Sequence, residues 1–140
     1  MYDKILVPTD GSEGSEVALD HATRLARQYD SEIHLIYVAD VRTQNTGDVM
    51  ANFMGELEKI GEEAVMSMRE ELDEIDDVIT KVVKGIPHRE IIDYSDEEEI
   101  DLIVMGTHGR TGLDRILLGS VTEKVVRTSE VPVMTVGRED

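Results

Sequence analysis

Uninterrupted apolar runs alternate along this chain with stretches in which apolar residues return every three or four positions. Tyr2 to Val7, Ile33 to Ala39, Val78 to Val83, Leu102 to Met105 and Pro132 to Val136 read as strands. Their lack of polar alternation, clearest at Leu102-Ile103-Val104-Met105, is what a parallel strand covered on both faces requires. Between the strands, Ala18, Ala22, Leu25, Ala26 and Tyr29 fall on one helical face. Met50, Met54, Leu57, Ala64, Met68, Leu72 and Ile75 also repeat at helical spacing, and a methionine-bearing stripe of this kind packs a core.

Punctuation between the runs fits the same plan. Pro8 stops the first strand, and Ser12, with Glu13 and Glu16 behind it, reads as the cap and first turn of a helix. Asp40 to Gly47 is a polar loop. Gly85-Ile86-Pro87 turns into a helix carrying Ile91 and Ile92, with Pro87 in its first turn. Asp96-Glu97-Glu98-Glu99 then reads as a solvated acidic helix end rather than a metal cluster. Strands alternating with helices predict βαβ units in an α/β fold with a parallel sheet. No linker or low-complexity tract divides residues 1–140, so one domain is expected. Pro132 suits the first position of an edge strand. A long uncharged edge of this kind invites pairing, which predicts a homodimer through Pro132 to Val136.

Composition narrows the function classes. The absence of cysteine excludes disulfides, thiol catalysis and cysteine-based zinc sites. A formal net charge of −17 argues against generic binding to nucleic acid or to an anionic membrane face, both of which need clustered lysine and arginine. No apolar run approaches the about 20 residues of a membrane span, and Met1-Tyr2-Asp3-Lys4 opens no basic-then-apolar leader. The expectation is a soluble cytoplasmic protein without a membrane partner. Excess acid with lysine only at positions 4, 59, 81, 84 and 124 suits a high-salt habitat as well as an ordinary acidic protein.

Candidate chemistry concentrates between Asp101 and Thr122. An apolar strand ends in Gly106, followed by Gly109 and Gly112, and Gly119-Ser120-Val121-Thr122 then opens a helix expected over Val121 to Thr128. Glycines let main-chain N–H groups approach an anion, and the unpaired amides and dipole of a helix start favour negative charge. The hydroxyls of Ser120 and Thr122 would add donors. Tight turns and a Ser120 cap would leave the same spacing, so on glycines alone the two readings stay open. Charge shifts the balance: from Gly106 to Thr128, Arg110, Arg115, Lys124 and Arg127 face only Asp114 and Glu123 in an otherwise acidic chain. Arg110 is the best phosphate contact among them.

These residues resemble the universal stress proteins over essentially the whole chain. ILVPTDGSE, DLIVMGTHGR and VPVMTV look like that family's three signature segments. Its ATP-binding members carry a glycine, two residues, a second glycine, nine residues, then a glycine and a hydroxyl residue, a spacing that Gly106, Gly109, Gly119 and Ser120 meet in full. The resemblance implies a Rossmann-like open sheet of five parallel strands in the order 3-2-1-4-5, with helices on both faces, and commonly a dimer through the fifth strand. It implies that Pro8, Thr9 and Asp10 border an adenosine, and that Val38 meets the adenine edge through its main chain. Met105, Gly106 and His108 would lie along the nucleoside and first phosphates. Gly109, Arg110, Gly119, Ser120, Val121 and Thr122 would surround the phosphates, with a divalent ion, magnesium or manganese, bridging them.

The chain departs from the P-loop pattern: no G-x-x-x-x-G-K-[ST] run is present, so no lysine stands ready for phosphoryl transfer. Asp10 and His108 are the residues an enzyme reading would use, but a lone histidine on a glycine loop is more often a ligand or backbone contact than a base. His21, His34 and His88 are scattered, with no metal-ligand spacing. An ATP-binding regulatory dimer is therefore the favoured expectation. A slow ATPase or nucleotidyl transferase and a nucleotide-free interaction module are the alternatives.

Overall fold

The apolar runs become the strands of one all-parallel sheet. Residues 2–11, 13–40, 47–73, 75–107 and 119–137 are described by the computed structural model. Along them run β1 (Lys4–Thr9), α1 (Glu13–Tyr29), β2 (Glu32–Asp40), α2 (Gly47–Glu70), β3 (Val78–Gly85), α3 (Pro87–Glu97), β4 (Leu102–Gly106), α4 (Ser120–Thr128) and β5 (Val133–Val136). The strands lie in the order β3-β2-β1-β4-β5, as the resemblance implied.

Side chains alternate across the sheet and feed two cores. On one face, Ile5, Val7, Ile33, Leu35, Leu102 and Val104 pack with residues of α1 and α2. On the other, Leu6, Ile36, Ile103 and Met105 pack with Ile91 and Tyr94 of α3 and Val125 of α4. The helical stripes behave as their periodicity predicts: Ala18, Ala22 and Ala26 of α1 and Met68 of α2 are buried, as is Leu72 just beyond α2. Met50 and Met54 have side chains outside the described residues. Pro87 opens α3, and Asp96 to Glu99 are exposed at its end.

Several boundaries differ from the sequence reading. β1 does not stop at Pro8 but runs through it to Thr9. Lys4, of the same parity, turns its carbonyl to Asp101 ahead of β4, so the ring nitrogen of Pro8 also faces that side. With no N–H to donate on that side, pairing with β4 ends at Leu6↔Ile103, while pairing with β2 carries the strand on to Thr9↔Tyr37. Tyr29 is exposed at the end of α1, its ring edge-on to Tyr2, rather than in the core. β5 begins at Val133, although the carbonyl of Pro132 already accepts the Ile103 N–H. α4 begins at Ser120 and its N-cap is Gly119, so Ser120 does not cap it. Ser12 lies outside the described residues.

Candidate functional site

Parallel strands bring their C-terminal ends to one edge, and at that edge β1 and β4 part. β1 pairs with β2 from Lys4↔Glu32 to Thr9↔Tyr37, whereas its described pairing with β4 covers Ile5↔Leu102 and Leu6↔Ile103. Successive connections leave β1 and β4 toward opposite sides of the sheet, which makes this the switch point where such sheets open a crevice. Pro8, Val38 and Met105 fall on the sheet face that α3 and α4 cover. Pro8 and Met105 are buried and Val38 half-buried.

The start of α4 lies beside the end of β4 at this edge. Gly119 takes an extended conformation (φ −61°, ψ 153°) and its carbonyl accepts the first helical bond, from the Glu123 N–H. The N–H groups of Ser120, Val121 and Thr122 meet no acceptor among the described residues, as expected of a helix's first turn. Gly119 donates its own N–H to the Thr107 carbonyl at 2.7 Å, and Thr107 donates its N–H to the Val136 carbonyl at 3.0 Å. Thr107 therefore ties the two ends of the glycine-rich segment to the last residue of β5. His108, Gly109 and Arg110, with Gly112 and Arg115, lie outside the described residues.

Thr122 and Gly106 are engaged with each other within the protein. The Thr122 hydroxyl, nearly buried, donates to the Gly106 carbonyl at 2.9 Å. Gly106 has no room for a side chain, since a Cβ there would stand 2.7 Å from the Gly14 carbonyl oxygen. The close approach that requires glycine at this position is thus to the backbone of α1. Arg127 pairs with Glu123 one turn earlier along α4.

The β1–α1 turn is held by Thr9 and Asp10 together with Ser15, which the sequence reading did not single out. Thr9 faces the α1–α2 side, where its hydroxyl donates to Met68 Sδ at 3.3 Å and accepts the Gly11 N–H at 3.0 Å. Gly11 has φ +80°, a left-handed conformation that glycine supplies without strain. Ser15 accepts the Asp10 N–H at 3.3 Å and donates to Asp10 Oδ1 at 3.1 Å. A glycine and a serine inside a helix's first turn were the available signal, since neither adds helix propensity there.

The chain matches the model of the universal stress protein family over residues 1–137. It is 38% identical to the universal stress protein MJ0531 of Methanocaldococcus jannaschii, in an alignment covering 97% of this chain and 82% of that one. It is 40% identical to the universal stress protein MJ0577 of the same organism, covering 100% of this chain and 98% of the relative. The solved structure of MJ0577 superposes with a TM-score of 0.92 over 100% of this chain and 99% of that one. A universal stress protein solved in complex with cAMP shares the fold at a TM-score of 0.67 and 24% identity, covering 97% of each chain. No helix among the described residues is long and apolar enough to cross a membrane.

Proposed function

The chain belongs to the universal stress protein family, and we propose that it binds ATP and works as a nucleotide-responsive homodimer. The observation that carries this reading is the set of three amides, of Ser120, Val121 and Thr122, without an acceptor among the described residues at the opening between β1 and β4. Amides and dipole together favour an anion there. The full Gly106, Gly109, Gly119, Ser120 spacing supports a phosphate as that anion. Pro8, Val38 and Met105, sharing one face of the crevice, suit the flat apolar nucleoside, and Asp10 suits hydroxyl or amino donors on it. His108, Gly109 and Arg110 belong to the same assignment. The cAMP complex of a fold relative supports a nucleotide in this architecture.

A divalent ion, magnesium or manganese, would be held chiefly by the phosphates and water, since no cluster of three potential ligands occurs among the described residues. The chain has no G-x-x-x-x-G-K-[ST] loop whose lysine would stabilise phosphoryl transfer, and the reading is a binding switch, with weak ATP hydrolysis as the alternative.

Dimerisation through β5 rests on its place at the sheet edge, with Met134 and Thr135 exposed and the apolar Val126 of α4 exposed as well. Thr107 would link occupancy to that edge, because its carbonyl and N–H bond to Gly119 and Val136 respectively. A phosphate at the α4 start biases the first of these bonds and so the second. Mass spectrometry of the nucleotide released on denaturing freshly purified protein tests the reading, together with sedimentation at micromolar protein with and without ATP. Intact ATP and a dimer support it. ADP accumulating on incubation with ATP and magnesium moves the assignment to an enzyme, and monomer alone removes the β5 pairing.

A further inference from the structure

We propose that Ser15 is a positioning residue that sets Asp10 for the nucleoside end of the ligand, a role that rests on the ATP-binding reading above. Ser15 is 7% exposed in the first turn of α1 and engages Asp10 twice, accepting its N–H and donating to its carboxylate. Two bonds to one residue fix both the backbone and the side chain of Asp10, which a single cap bond would not do. The neighbouring amide, of Gly11, is satisfied separately by the Thr9 hydroxyl, so Asp10 and Gly11 are both held by the protein itself.

The residue before Ser15 ties this turn to the other half of the crevice. Gly14 lies backbone to backbone against Gly106, whose carbonyl in turn accepts the Thr122 hydroxyl of α4. The chain Asp10, Ser15, Gly14, Gly106, Thr122 is therefore continuous through direct contacts. It fixes the separation between the carboxylate at the nucleoside end and the α4 amides at the phosphate end. Losing the Ser15 hydroxyl removes these two bonds to Asp10 while leaving the Gly14 contact in place.

The test is a double-mutant cycle on the full chain, with ATP affinity measured by calorimetry for wild type, Ser15→Ala, Asp10→Ala and the double variant. Amide hydrogen exchange of Asp10 is followed in the nucleotide-free wild type and Ser15→Ala proteins. Ser15→Ala is expected to speed Asp10 exchange and to weaken ATP about fivefold to tenfold, the size of one ordinary net hydrogen bond. The double variant is expected to bind no more weakly than Asp10→Ala, and Ser15→Thr, which keeps the hydroxyl, to restore affinity. A serine that only stabilises the helix would lower the melting temperature and give additive losses, which overturns the role. Unchanged Asp10 exchange overturns it too. Weaker binding by Asp10→Ala with unaltered binding by Ser15→Ala removes the role alone, whereas unaltered binding by Asp10→Ala removes the nucleoside assignment of Asp10 with it.

Discussion

A Cβ added to Gly106 at the end of β4 would meet the Gly14 carbonyl oxygen at 2.7 Å and its carbonyl carbon at 2.8 Å. Backbone cannot yield as a flexible side chain can, so α1 would have to shift from the sheet. Gly106→Ala is expected to destabilise the fold by about 1–3 kcal/mol, the usual penalty of overpacking. Gly55 in α2 supplies the control, since its added Cβ meets nothing within 4 Å, and Gly55→Ala is expected to stabilise by about 0.5–1 kcal/mol through helix propensity. Urea titrations of the two variants check the contrast; similar destabilisation of both would remove the contact as the cause.

The hydroxyls of α4 divide by role. Thr122→Val keeps shape but leaves the Gly106 carbonyl without its donor, and is expected to destabilise the nucleotide-free protein by about 1–2 kcal/mol. Ser120 is exposed, and Ser120→Ala is expected to stay within about 0.5 kcal/mol of wild type while weakening ATP binding. Melting curves and calorimetry separate the two effects.

On the opposite part of the same sheet face, His34 is buried, with Nδ1 2.6 Å from the Tyr94 hydroxyl and Nε2 against the Glu32 carboxylate. An ionised carboxylate only accepts, so Nε2 carries the proton and Tyr94 donates to Nδ1. Burial, reinforced by the carboxylates of Glu98 and then Glu32, pushes the Tyr94 phenol from 10.0 up to about 12. The folded state then keeps a proton that the unfolded chain loses above pH 10. Stability attributable to this group is constant below about pH 10 and falls by about 3 kcal/mol in all as pH rises through about 12. Tyr94→Phe is expected to flatten this alkaline slope, and to destabilise by about 1–2 kcal/mol at neutral pH by leaving Nδ1 unpartnered. Denaturation midpoints from pH 8 to pH 12 provide the check.

The formal net charge of −17 opposes compaction, and ion pairs such as Arg24–Asp20 and Arg127–Glu123 are exposed and contribute little. Adding sodium chloride from about 0.05 M to about 1 M shortens the screening length from about 14 Å to about 3 Å and is expected to raise the melting temperature. A melting temperature indifferent to salt would exclude self-repulsion as a significant term.

How the parts of the molecule became legible differs by range. Ile5 to Val7, Ile33 to Ala39 and Leu102 to Met105 announce buried parallel strands because a sheet covered on both faces leaves no position for polar alternation. Pro87 announces a helix start because its fixed φ and missing N–H suit only that turn. Pro8 misled because a strand that loses its partner on one side can continue on the other: β1 leaves β4 after Leu6↔Ile103 but stays paired with β2 to Thr9↔Tyr37.

The sequence by itself determined the periodicities, the class of fold, the acidic balance and the glycine spacing, all of which act through neighbours a few residues apart. Tertiary structure alone decided that Gly106 meets Gly14, that Thr122 returns to the Gly106 carbonyl, and that Asp101 accepts the N–H groups of Asp3 and Lys4 from 98 and 97 residues away. Each is a contact between two locally satisfactory elements. Local pattern says which face of an element is buried, but only the packed sheet says against whom.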